Sequence, residues 1–77
     1  MEATFDGAKL REVRKDRGET QAMLAIKIGS SIRHVRALES GEKTNPSACL
    51  LCKAAAALHV PMDTFMRLQP EEGDELL

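Results

Sequence analysis

The stretch TQAMLAIKIGSSIRHVRALESG, residues 20–41, holds two short helical runs separated by a glycine. Thr20 and Ser31 each stand just ahead of a run. A hydroxyl there can accept from the backbone N–H groups that a helix start leaves unpaired. Leu24, Ala25 and Ile28 recur at the spacing of one helical face, and so do Val35 and Leu38. Gly29 and Gly41 close the two runs, since glycine takes a positive φ without steric cost. The small Ala25 lets two helix axes approach, and Gly29 permits a very short turn between them. The pattern predicts two helices crossing steeply, with Val35 and Leu38 locking the second against the first.

The second run is basic as well as amphipathic, with Arg33, His34 and Arg36 crowded near its start. Its free N-terminus suits a phosphate through unpaired amides and partial positive charge. Its outward positions, Ile32, Arg33, Arg36 and Ala37, are then available to base edges in a DNA major groove. For Arg33 and Arg36 the alternative is general phosphate contact or plain solvation. His34 suits a polar surface or a phosphate better than base reading. It has no Ser, Cys or Asp partner placed for catalysis.

Working outward, Asp6 can cap a first helix that runs to about Arg17, with Phe5 stapled onto Leu10 and Gly18 as the stop. Ala8, Leu10 and Val13 are its sparse apolar stripe. Residues 42–46 read as a polar loop, after which Ser47 caps a fourth helix through CLLCKAAAALH. Leu51, Cys52, Ala55 and Leu58 are its expected inner face. Pro61 suits the start of a short fifth helix whose core residue is Phe65. The segment QPEEGDELL is acidic and aperiodic, so residues 69–77 are expected to be a mobile tail beyond a domain of residues 1–68. No repeat and no β signal stands out. The expected fold class is all-α, a compact bundle of about five helices with a helix-turn-helix in the second and third.

The totals agree with one small domain. The chain has 77 residues, 43% hydrophobic and 30% charged, which suits a globular chain rather than a disordered one. No apolar run approaches the ~20 residues of a membrane span, and the start lacks a signal-peptide core, so a cytoplasmic location is expected. The net charge of −1 conceals an uneven distribution. Residues 7–53 carry ten basic against five acidic side chains, and residues 54–77 carry one against five. A basic body with an acidic end permits nucleic-acid binding; it is equally the pattern of an ordinary solvated surface.

Taken together, G-E-T-Q-A-M-L-A-I-K-I-G-S-S-I-R-H-V-R-A-L-E-S-G followed by N-P-S resembles the Cro and phage-repressor type of helix-turn-helix domain, over roughly residues 7–67. The resemblance implies a sequence-specific DNA-binding transcriptional regulator that binds a double-stranded operator as a homodimer, here through the region of Met62, Phe65 and Met66. It implies that Ser31, Ile32, Arg33 and Ala37 face the DNA with Arg36 beside them. It implies phosphate contacts at Thr20, Gln21, Ser40, Lys43 and Asn45. It also implies a buried ion pair between Arg14 and Glu39. Three positions depart from the family's pattern: Glu19 and Ser30 replace apolar residues ahead of helix caps, and His59 stands where glycine is common.

Other chemistries find little support. Cys49-Leu50-Leu51-Cys52 lacks the four ligands of tetrahedral zinc, because His59 lies about 10 Å further along a helix from Cys52. Packing of small residues is the expected role of both cysteines, ahead of a redox pair. The methionines Met23, Met62 and Met66 suit surfaces or gap filling. There is no glycine-rich phosphate loop and no paired-carboxylate arrangement, so neither an enzyme, a metal site nor a cofactor is expected. The competing function is a protein-interaction module, such as the antitoxin member of a toxin pair, binding its partner through the acidic tail.

Overall fold

The structure is a computed structural model that describes residues 2–69. A strand, β1 (Glu2–Phe5), leads into helix α1 (Gly7–Asp16), followed by α2 (Gln21–Lys27), α3 (Ile32–Ser40) and α4 (Ala48–Leu58). A single 3₁₀ turn, Met62–Phe65, then leads into strand β2 (Met66–Gln69). The architecture is the expected helical bundle, with four α-helices and a 3₁₀ turn where a fifth helix was expected. Of the expected tail, Gln69 instead ends β2, paired with Glu2, and residues 70–77 lie outside the described residues.

Every helix begins on the side chain that its sequence offers. Asp6 accepts from Lys9 N at 3.2 Å, Thr20 from Met23 N at 3.0 Å, Ser31 from His34 N at 3.1 Å and Ser47 from Leu50 N at 3.1 Å. At the other ends, α1, α2 and α3 give way to Gly18, Gly29 and Gly41, all at positive φ. His59 does the same work after α4 at φ 59°, and its amide and that of Val60 return to Ala56 O and Ala55 O. Arg17 reaches across to donate from Nε to Leu58 O at 3.0 Å, which places a cation on the last turn of α4.

The core is one cluster drawn from all four helices and the 3₁₀ turn. Leu10, Leu24, Val35, Leu58 and Phe65 are its largest fully buried side chains. Phe5, Leu50, Leu51, Ala57 and Val60 pack around its margin.

Four sequence expectations change. The first is the ribbon: β1 and β2 pair antiparallel, Glu2 with Gln69 through Phe5 with Met66. Neither four-residue strand alternates strongly enough to announce itself, and each is held by the other end of the chain. The second concerns α1, where Ala8 is exposed and Gly7 is buried. A methyl group at Gly7 would sit 1.9 Å from Leu38 O, so α1 and α3 touch backbone to backbone there. Third, Cys52 is exposed, as is Cys49, and Leu51 is only half-buried, because α4 turns Ala54, Ala55 and Leu58 inward. Fourth, Phe65 is completely buried, which removes it from any surface used for self-association, whereas Met62 is exposed.

Asp6 ties ribbon to bundle. Its amide donates to Phe65 O at 2.7 Å, and its carboxylate pairs with Arg67 at 3.0 Å. The hydrogen bond from Arg67 and the amides at the start of α1 hold the Asp6 carboxyl below the ordinary range against a smaller opposing effect of burial. A depressed carboxylate stabilises the fold fully above its unfolded pKa of about 3.9 and loses that contribution as pH falls through the folded value. Urea midpoints of the native chain and Asp6→Asn, compared at neutral pH and near pH 3, should therefore converge at the acid end. The amide keeps the cap but not the pairing with Arg67.

Gly7→Ala offers a sharper test. The added methyl meets backbone rather than a flexible side chain, so the helices must separate. A loss of about 1–3 kcal/mol or more is expected from chemical denaturation, where a helix start normally tolerates alanine.

Candidate nucleic-acid interface

The site is built from the inside. Arg14 on α1 and Glu39 on α3 are each 7% exposed, and they meet in a two-pronged ion pair. Arg14 Nε donates to Glu39 Oε2 at 2.6 Å and Nη2 to Oε1 at 3.1 Å. The remaining arm, Nη1, donates to the backbone carbonyl of Glu19 at 2.7 Å, just ahead of α2. One guanidinium thus fastens three segments. Burying two charges is costly, and the fork geometry with the extra carbonyl offsets that cost.

The network continues to the surface. Gln21 Nε2 donates to Glu39 Oε1 at 3.1 Å, and Gln21 Oε1 accepts from Arg36 Nε at 3.2 Å. The chain Arg14–Glu39–Gln21–Arg36 runs from the buried seam out to the exposed face of α3. A shallow groove between α1, α2 and α3 is lined by Arg11, Thr20, Gln21, Arg36 and Ser40 above that ion pair. Arg11 was not singled out from the sequence. It stands one turn before Arg14 on α1, outside the helix-turn-helix stretch of residues 20–41.

On α3 itself, Ser31, Ile32, Arg33 and Arg36 are exposed, and Ile32 shows 42% of its surface. His34 is half-buried. Ala37 differs from expectation, being only 8% exposed. It lies outside the core cluster, so its cover is local. After Gly41 the chain folds back, and the Lys43 amide donates to Ala37 O at 3.0 Å. Arg33, Glu42 and Lys43 then rim a recess with Ala37 at its floor.

The other expected contacts lie along the same side. Ser40 Oγ donates to Ala37 O at 3.2 Å, and Lys43 and Asn45 are exposed in the loop between α3 and α4. Three basic groups elsewhere have structural partners: Arg17 caps α4, Lys27 pairs with Glu19, and Arg67 pairs with Asp6. Among the described residues, no group of three or more metal-ligating side chains is assembled. No described helix is long and apolar enough to cross a membrane.

Comparison with known proteins places this geometry. A helix-turn-helix family profile matches residues 10–65, which spans α1 to the 3₁₀ turn. No curated protein sequence matches. Among solved structures, the restriction-modification controller protein C.AhdI from Aeromonas hydrophila is similar at a TM-score of 0.72 and 32% identity, over 77% of this chain and 88% of that one. SinR, the master regulator for biofilm formation, solved in complex with DNA, is similar at 0.73 and 32%, over 77% and 94%. A hypothetical transcription factor from Neisseria, NHTF, is similar at 0.72 and 30%, over 92% and 79%.

The central ion pair carries a test of its own. Glu39→Ala leaves the Arg14 guanidinium buried with one remaining acceptor, a change that costs about 3–5 kcal/mol in comparable settings. The thermal midpoint should fall accordingly. An unchanged midpoint would show that the seam is not held by this pair.

Proposed function

The chain belongs to the Cro/C1-type helix-turn-helix family and is a DNA-binding transcriptional regulator, and from that premise we propose that α3 is its recognition helix, seated in the major groove. The observation that carries this reading is the exposed set Ile32, Arg33 and Arg36 on a helix fixed from behind by Glu39. Arg33, whose guanidinium has no ion-pair partner among the described residues, can donate two hydrogen bonds to a guanine edge. Ile32 can pack on a thymine methyl. Arg36, already aligned by Gln21, reaches a base or the neighbouring phosphate. Ser31 stands at the helix start, where its own amide and those after it face an approaching backbone.

Ala37 keeps a smaller role. Recessed beneath Arg33 and Lys43, its methyl admits only a contact that enters the recess, such as a thymine methyl. Thr20, Gln21, Ser40, Lys43 and Asn45 form two flanks that hold phosphates and set the register of the helix.

One recognition helix spans only a few base pairs. Two chains joined near Met62 and Met66 would present two such helices to half-sites about 34 Å apart, or a multiple of that. That arrangement supports operator binding as a homodimer in the cytoplasm, in a regulatory rather than catalytic role.

The base-reading and phosphate-holding roles separate in one experiment. Arg33→Ala should weaken binding to the preferred operator by about 1–3 kcal/mol and relax preference at one base pair. Lys43→Ala should weaken all sequences alike and flatten the salt dependence by about one phosphate's share. Sedimentation of the same complexes should find two chains per operator. Should Arg33→Ala change neither affinity nor preference, α3 is not the reader, and a protein partner becomes the better account of the exposed face.

A further inference from the structure

Helix α4 carries two cysteines that the interface does not use. Its inner face is Ala54, Ala55 and Leu58, with Leu51 at the margin, which leaves Cys49 and Cys52 together on the exposed side. A spacing of three residues stacks them one turn apart. Helix rise and radius set their Cα atoms about 5 Å apart, inside the roughly 4.4–6.8 Å that a disulfide spans. Their Cβ atoms, about 5–6 Å apart in a regular helix, must close to roughly 3.5–4.5 Å for the bond to form. The first turn can yield that much, because its amides have no helical acceptors. Its tie is the Ser47 cap, whose Oγ accepts from Leu50 N at 3.1 Å.

We propose that Cys49 and Cys52 form a peroxide-responsive dithiol that closes to a disulfide within the first turns of α4. One thiol, as thiolate, attacks an oxygen of hydrogen peroxide. The O–O bond breaks, water leaves, and a sulfenic acid remains. The second sulfur then attacks the first; the S–O bond breaks, the S–S bond forms, and the second water departs with the remaining thiol proton. Two thiols are oxidised by two electrons in total, and one peroxide becomes two waters. A bond that pulls a helical turn inward is strained and so is readily reduced by a small dithiol.

Closure bears on the loop that precedes it. Ser47 borders a recess shared with His34, Lys43, Asn45 and Leu50. Tightening the turn against the Ser47–Leu50 cap moves the segment that carries Lys43 and Asn45. The consequence for DNA rests on the recognition reading above; the closure itself does not.

The reduced chain, treated with hydrogen peroxide, should lose two hydrogen masses without forming a covalently linked dimer. Both thiols should become unreactive to maleimide, a single peptide link should join 49 to 52, and dithiothreitol should restore the starting mass. Cys49→Ser and Cys52→Ser should instead yield oxygen adducts or linked dimers. If the native chain gives those same products without an internal link, the proposal is overturned. Operator binding by the oxidised native chain should be about tenfold weaker than by the equally treated Cys49→Ser/Cys52→Ser chain, the scale of a lost helix cap. Equal binding with the disulfide formed overturns the coupling to the loop. Failure of the reduced chain to bind any DNA overturns the recognition reading and leaves the mass result standing.

Discussion

The orientation of α3 depends on a single buried guanidinium. Arg14 satisfies both oxygens of Glu39 and the carbonyl of Glu19, so α1, the last turn of α3 and the entry to α2 share one anchor. Apolar packing alone leaves helices free to slide by fractions of a turn, because dispersion contacts are numerous but weakly directional. A planar fork against a carboxylate is directional. The exposed residues of α3 inherit that directionality, since Glu39 and Arg36 belong to the same nine-residue helix.

Gln21 extends the anchor outward. Its amide bridges Glu39 and Arg36, so a side chain at the surface is aligned by a charge in the interior. A phosphate arriving at Gln21 or Arg36 therefore meets groups already oriented, and less side-chain freedom remains to be lost on binding. Pairing also distinguishes some of the cations of a chain whose net charge is −1. Arg17, Lys27 and Arg67 are occupied with structural partners, while Arg33 and Lys43 have no ion-pair partner among the described residues.

Much of this was legible because helix starts and stops are local. Asp6, Thr20, Ser31 and Ser47 cap where their own chemistry permits, and three glycines stop helices where positive φ is needed. The Arg14–Glu39 contact was suggested only by resemblance, since the two lie 25 residues apart and no periodicity joins them. What escaped the sequence was non-local. Gly7 is buried because the α3 backbone happens to lie against it, not because of any pattern in α1. Ala37 loses its exposure to a loop that returns after Gly41. On α4, four consecutive alanines blur the apolar stripe, and the inner face could be drawn one residue askew, which put Cys52 on the wrong side. The ribbon is the extreme case, each short strand existing only because the other is present.

That ribbon joins positions as far apart as the domain allows, with Thr4 and Arg67 separated by 63 residues. Local helices and the α2–α3 pair need close only short loops, whereas β1 and β2 must wait for almost the entire chain to fold between them. It follows that the ribbon is the last element to assemble and the first to open. Its amides should exchange with solvent through a local opening of low free energy, while the amides of α3, facing the buried seam, exchange only when the whole domain unfolds. The surface that would read DNA is thereby kinetically insulated from fraying at the ends of the fold.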